Sequence, residues 1–376
     1  MDRQTELLNT AIITRLSYFQ LNAMVELYRH LGSATAIIEQ RGELKTLFPS
    51  IPQKVIDALQ DVEAVRTRAQ EELDYCAAHD VRTICLNDDD YPRRLKECPD
   101  APLMLFYKGT ADLNARRTVC IVGTRRATPY GEDLIRNFVA DLSKMCPDVV
   151  IVSGLAYGID VCAHRHALKN HLETIGVLAH GLDDLYPPRH RDVANEMVLH
   201  GGLLTEFMTH TNADKLNFVR RNRITAGISD ACILVESAKK GGGLITTRIS
   251  KEYDRDVFAF PGVVGAKSSE GCNNLIRDNG AGLITSAEDF VKAMGWEDDL
   301  KIKAALDNGI ERELFPNLSP EELKIVSLLD KTNDLQLNII SVKTVIPIGT
   351  ASSLLFGLEM KGVVKPYAGG TYHLLK

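Results

Sequence analysis

Between about residue 115 and residue 286 the chain repeats one pattern. A short apolar run is followed by a glycine, and the glycine by a stretch with helical spacing. The runs are TVCIVG (118–123), VVIVSG (149–154), TIGVLAHG (174–181), GGLLTEF (201–207), ACILVES (231–237), DVFAFPG (256–262) and AGLITS (281–286). They are continuous rather than alternating, which predicts strands covered on both faces: a parallel sheet with crossover helices. Seven such units predict an α/β, Rossmann-like, doubly wound and mostly parallel sheet. Before it, residues 1–75 show helical spacing. Leu21, Met24, Val25 and Leu27 to Tyr28 recur on one face, and Gly32-Ser33 reads as a stop followed by a cap. A second helical stretch follows Pro52. This predicts a small N-terminal all-α module, resembling a SAM or helix-hairpin-helix unit. Beyond the sheet, residues 296–318 mix charges without strand signals and read as a linker. Ser319-Pro320-Glu321-Glu322 reads as a helix start, GTASSLLFGLEMKG as a further helix, and VVKPYAGGTYHLL as a hairpin with a Gly-Gly turn. Helices closed by a hairpin predict a C-terminal winged-helix domain over 319–376. The expected organisation is therefore 1–75 helical, 76–295 an extended Rossmann-like domain, 296–318 linker and 319–376 winged helix.

Length and composition narrow the class. At 376 residues, with 45% hydrophobic and 25% charged residues, the chain is an ordinary globular protein. The net charge of −6 excludes a histone-like coating protein. It leaves room for a local basic patch on an acidic chain. No apolar stretch approaches the 18 residues of a membrane span, and MDRQTELLNTAII lacks the features of a secretory signal. The eight cysteines include no CxxC pair, so buried thiols in a reducing cytoplasm are expected.

The candidate chemistry sits at the strand ends, where open parallel sheets bind ligands. Three glycine loops follow strands: Gly123-Thr124-Arg125-Arg126, Ser153-Gly154 with Gly158, and Gly241-Gly242-Gly243. Glycine lets a ligand approach the backbone, and a helix N-terminus offers N–H groups to phosphate. GxGxxG and GxxxxGK[ST] are absent, which disfavours a nucleotide triphosphatase. Cations accompany the loops: Arg125 and Arg126 after the first, Lys239 and Lys240 before the third, and Lys215, Arg220, Arg221 and Arg223 in KLNFVRRNR with Phe218 and Asn222. Converging on one edge, they would form a positive groove suited to a polyanion, with Phe218 placed to stack on a base. Asp160 and His164, four residues apart, read as capping and packing rather than as metal ligands. No metal or cofactor is expected.

These motifs, in this order, resemble the bacterial DNA-processing proteins of the DprA/Smf family. Val122-Gly123-Thr124-Arg125 with Thr128, Tyr130 and Gly131 is similar to VGSR…TxYG. Ser153-Gly154-Leu155-Ala156-Tyr157-Gly158-Ile159-Asp160 with Ala163-His164 is similar to SGxAxGIDxxAH. Gly181, Asp183 and Tyr186-Pro187 match GxDxxYP, and Phe218 with Arg221-Asn222-Arg223-Ile224 matches FPxRNRI. Gly242-Gly243-Leu244-Ile245-Thr246 is similar to SGSLIT, with Gly241 and Gly243 where the family has serines. Thr124 replaces a serine and Val219 a proline. The resemblance implies a binding protein, not an enzyme. It would bind single-stranded DNA through the Rossmann-like domain, dimerise through it, protect incoming DNA and help load the RecA recombinase during natural transformation. The residues leave two other readings open. One is a nucleoside-monophosphate hydrolase of the lysine-decarboxylase-like group, with Glu206 or Glu236 as acid or base. The other is a structural adaptor.

Overall fold

The computed structural model describes residues 2–17, 20–297, 318–367 and 370–375. It divides into two compact units, Met1–Met294 and Gly295–Lys376.

The first unit opens with the helices α1 (Arg3–Leu16), α2 (Leu21–Leu31), α3 (Ala34–Glu39), α4 (Leu44–Leu47), α5 (Gln53–Ala58) and α6 (Val62–Ala78). The expected stop is present. Gly32 closes α2 in a left-handed conformation, which glycine adopts without strain, and Ser33 accepts a bond from the Ala36 N–H to start α3. The helical stretch after Pro52 is broken by a 3-10 turn at Leu59–Asp61. This segment is not a separate body. Ala11, Met24 and Tyr28 share one core with Ile84, Phe106, Val152 and Ile224. Glu72 accepts bonds from the N–H and Oγ1 of Thr209, at 2.8 and 2.6 Å.

Strands and helices then alternate: β1 (Arg82–Cys85), α7 (Arg93–Lys96), β2 (Met104–Gly109), β3 (Arg117–Val122), α8 (Pro129–Met145), β4 (Val149–Ser153), α9 (Ile159–Lys169), β5 (Thr174–Val177), α10 (Arg191–Leu199), β6 (Gly201–Thr205), α11 (Lys215–Gly227), β7 (Ala231–Leu234), α12 (Gly243–Glu252), β8 (Asp256–Ala259), α13 (Glu270–Arg277), β9 (Gly282–Leu283) and α14 (Ala287–Ala293). Among the described residues they form a nine-stranded sheet in the order β1-β2-β6-β5-β4-β3-β7-β8-β9. The seven expected strands are β3 to β9, all mutually parallel. Every residue of β3, β4, β5, β6 and β7 is buried, as continuous apolar runs require. The two further strands extend the β6 edge, with β2 antiparallel to both β6 and β1. From β3 the chain winds one way through β4, β5 and β6. It then crosses back and winds the other way through β7, β8 and β9. The reversal leaves a crevice beyond the carboxyl ends of β3 and β7.

The second unit has helices Pro320–Lys331, Leu337–Thr344 and Ile348–Met360 around Ile325, Leu329, Ile340, Leu355 and Leu358. Ser319 and Glu322 form the two bonds of a capping box at its start. Strands Val364–Tyr367 and Thr371–Leu374 make the expected hairpin, and Leu335–Gln336 adds a third strand. The expected linker falls almost wholly on 298–317, outside the described residues. No single helix among the described residues is long and apolar enough to cross a membrane. Seven of the eight cysteines are buried, Cys162 is half-buried, and all eight are thiols outside any disulfide.

Candidate functional site

A cleft of about 570 Å³ in the first unit lies at the β3/β7 reversal. Small-ligand sites span roughly 300–1,000 Å³. All three glycine loops reach it: Gly123, Thr124 and Arg125 from the first, Gly154 and Ala156 from the second, and Gly241, Gly242 and Gly243 from the third. Helix α11 supplies Lys215, Phe218, Arg221 and Asn222.

Local rules place each wall. Thr128 caps α8, its hydroxyl accepting from the Gly131 N–H, with Pro129 at the first helical position. The same threonine donates its N–H and hydroxyl to Glu236, at 2.9 and 2.7 Å, which ties the β3 and β7 loops together. Asp214 caps α11 through the Asn217 N–H at 2.7 Å. The absence of a side chain at Gly154 makes room for the Arg221 guanidinium, which a Cβ there would displace. Among the described residues, the N–H groups of Gly242 and Gly243 meet no backbone carbonyl outside α12, whose N-terminus they open onto the cleft.

Arg125 is exposed, and its guanidinium lies 4.6 Å from the Phe218 ring centroid. On the same ring, Arg221 lies at 5.8 Å. Arg221 is only 4% exposed, and its Nη1 donates to the Val177 carbonyl. Its Nε is buried and, among the described residues, has no hydrogen-bond partner. Burial pushes the Arg221 guanidinium down from its ordinary value, and Asp160 opposes this. Burial pushes the Asp160 carboxyl up, against Arg221 and the backbone amides of Ala156 and Gly154. The second loop therefore already holds an anion of its own, the Asp160 carboxylate. The cleft wall still sets three cations, Arg125, Lys215 and Arg221, against that one carboxylate.

Several expected site residues lie elsewhere. Arg223 is 7% exposed and turned away, paired with Glu206 and donating to the Asp100 carbonyl. Two positions along a helix rotate a side chain by about 200°, so Arg221 and Arg223 cannot share one face. Ser153 is fully buried, and its hydroxyl donates to the Ile121 carbonyl at 2.6 Å. Arg126, Lys239 and Lys240 are exposed but do not line the cleft, and Lys239 lies 3.9 Å from Glu270. Arg220 is half-buried outside the lining and engaged in other contacts. Lys215 lines the cleft with the basic run in which it was read, and Asp160 lines it although the sequence reading gave it only capping and packing. Lys215 opens the same helix as Phe218 one turn earlier, a spacing that marks it as a neighbour.

His164 is fully buried, as expected for packing. Thr174 Oγ1 gives its hydrogen to the Ile151 carbonyl at 2.8 Å, so it accepts from His164 Nδ1 at 2.7 Å. Burial, with help from Arg221, lowers this imidazole to about 3. The carboxylates that a hydrolase would need, Glu206 and Glu236, are both committed: one to Arg223, the other to Thr128. Among the described residues no cluster of His, Cys, Asp and Glu could hold a metal ion.

Residues 82–295, more than half of the chain, match the family model of DNA recombination-mediator protein A. The chain belongs to this family. Among DNA recombination-mediator A relatives, Protein Smf of Synechocystis is 37% identical over 251 residues, which cover 66% of this chain and 60% of that protein. The structure of DNA processing protein A from Streptococcus pneumoniae superposes with a TM-score of 0.58 at 30% identity. It covers 77% of this chain and 94% of the pneumococcal one. The Helicobacter pylori DNA processing protein A, described for its single-stranded DNA binding mode, gives a TM-score of 0.52 at 28% identity over 58% of this chain and 96% of its own. The fold and the family expected from the motifs are thus both present, and the chain is a DNA-processing recombination mediator by family.

Proposed function

We propose that this recombination mediator binds single-stranded DNA in the β3/β7 cleft and helps deliver it to a RecA-type recombinase, protecting it meanwhile. One observation carries the proposal: three glycine loops and the cations Arg125, Lys215 and Arg221 meet at a single cleft. A phosphodiester strand fits this arrangement better than a small anion. One helix N-terminus suffices for one phosphate, whereas cations spread from a loop to a helix match successive charges. The ligand is gripped by its backbone, so the affinity is largely independent of sequence and falls with salt. The Helicobacter pylori relative, with its single-stranded DNA binding mode, supports the reading. RecA delivery, a homodimer formed through the Rossmann-like unit, a cytoplasmic location and a role in natural transformation follow from the DprA/Smf resemblance. The C-terminal unit, whose helix Ile348–Met360 carries no arginine, serves as a winged helix for partners rather than for reading bases.

The test is an anisotropy titration of the full chain with labelled single- and double-stranded oligomers across salt concentrations. The expected result is tighter single-strand binding whose logarithm falls linearly with the logarithm of salt. Absence of single-strand binding at low salt refutes the proposal.

A further inference from the structure

Phe218 lines the cleft, and Tyr186, outside that lining, is its aromatic neighbour; the two rings stand in different situations. Phe218 is half-buried, and its ring carries the guanidinium of Arg125 at 4.6 Å and that of Arg221 at 5.8 Å. A base stacking on the Arg125 face would displace this guanidinium and lose its phosphate contact. Tyr186 lies beside Phe218, with ring centroids 5.8 Å apart and planes at 63°, and it is 42% exposed. Among the described residues no other ring or cation lies against it.

Tyr186 is also held in place. Its N–H donates to Nε2 of the buried His180 at 3.1 Å, so the other nitrogen, Nδ1–H, donates to the Gly181 carbonyl at 2.7 Å. Its neighbour Leu185 is anchored in a core with Leu178 and Met197. Asp183 in the same loop accepts from the His210 N–H at 2.9 Å. A rigid, open, amphipathic ring at the rim of a cationic cleft is what single-strand binders use to stack a base, because every base has a π-face.

We infer that Tyr186 is the base-stacking platform of this site, and that Phe218 is a positioning residue which mounts Arg125 for phosphate. The two rings divide base contact from backbone contact. This rests on the single-stranded DNA reading above.

The experiment compares oligothymidylate with an abasic oligomer of equal length, by anisotropy on the full chain at several salt concentrations. Stacking is worth about 5- to 150-fold per base. Tyr186→Ala is expected to weaken oligothymidylate binding roughly tenfold, with abasic binding and the salt slope unchanged. Tyr186→Trp should restore the affinity, and its added indole fluorescence should be quenched by oligothymidylate. Phe218→Leu should weaken both oligomers alike and make the salt slope shallower. An unchanged thymidylate-to-abasic ratio in Tyr186→Ala, an unquenched indole, or a ratio abolished by Phe218→Leu overturns this assignment while leaving the cleft reading intact. If the unsubstituted protein binds neither oligomer, the cleft reading fails, and this assignment with it.

Discussion

Replacing Arg125 with Ala should loosen the cleft's grip without loosening the fold. The side chain is exposed, has no ion pair among the described residues, and touches the Phe218 ring. An exposed cation–π contact is worth about 0.5–1 kcal/mol. At roughly 2–4 °C per kcal/mol for domains of 150–250 residues, the melting temperature should fall by only a few degrees. The loss in binding is larger. A hydrogen bond to a charged group contributes about 1.5–3 kcal/mol, or roughly 10- to 150-fold in affinity. Each phosphate contact on a single strand contributes about 0.7 to the slope of log affinity against log salt. Anisotropy titrations of a thymidylate oligomer from low to moderate salt read both quantities. Affinity within twofold of the unsubstituted protein, with an unchanged slope, would refute the placement of Arg125 on phosphate. Arg221→Ala is a poorer probe. It strips a buried guanidinium from beside Asp160, and uncompensated buried charge costs about 3–5 kcal/mol.

Two further outcomes follow from the buried charges. Glu206→Ala should destabilise the first unit by about 3–5 kcal/mol in a thermal melt, because Arg223 stays buried unpaired. It should leave the salt slope of DNA binding unchanged; a steeper slope would mean that Arg223 reaches the ligand. His164, held at about 3 against an ordinary 6.5, takes up its proton in the unfolded chain first. Stability present above about pH 6.5 is therefore lost as pH falls toward 3, at up to ~1.4 kcal/mol per unit. Urea midpoints between pH 7 and pH 5 should fall less steeply in His164→Gln, and an identical decline would contradict this account of the imidazole.

The sheet was legible because its parallel strands are buried on both faces, and that prints continuous apolar runs such as TVCIV and ACILV. The strands β1 and β2 escaped the same rule. RTIC is short and half-exposed at its start, and MLFYKG is followed by a glycine but not by a crossover helix, because its partners are antiparallel. The 3-10 break at Leu59–Asp61 left no proline or glycine to mark it. At the site, the glycine loops were readable from strand ends, and their convergence follows from the topology. Which arginines face the cleft was not read from RRNR, although helical rotation separates Arg221 from Arg223. The seat that Asp160 takes on the Ala156 and Gly154 amides depends on a loop closing back on its own helix, and local spacing does not specify that.

Hydrogen exchange of backbone amides with and without an oligothymidylate tests the central claim most directly. Binding in the cleft predicts slower exchange in residues 123–128, 154–158 and 241–245 and in the first turn of α11, all of them around one cleft. Protection confined to the C-terminal unit, or absent from the three glycine loops while the oligomer is bound, would contradict it.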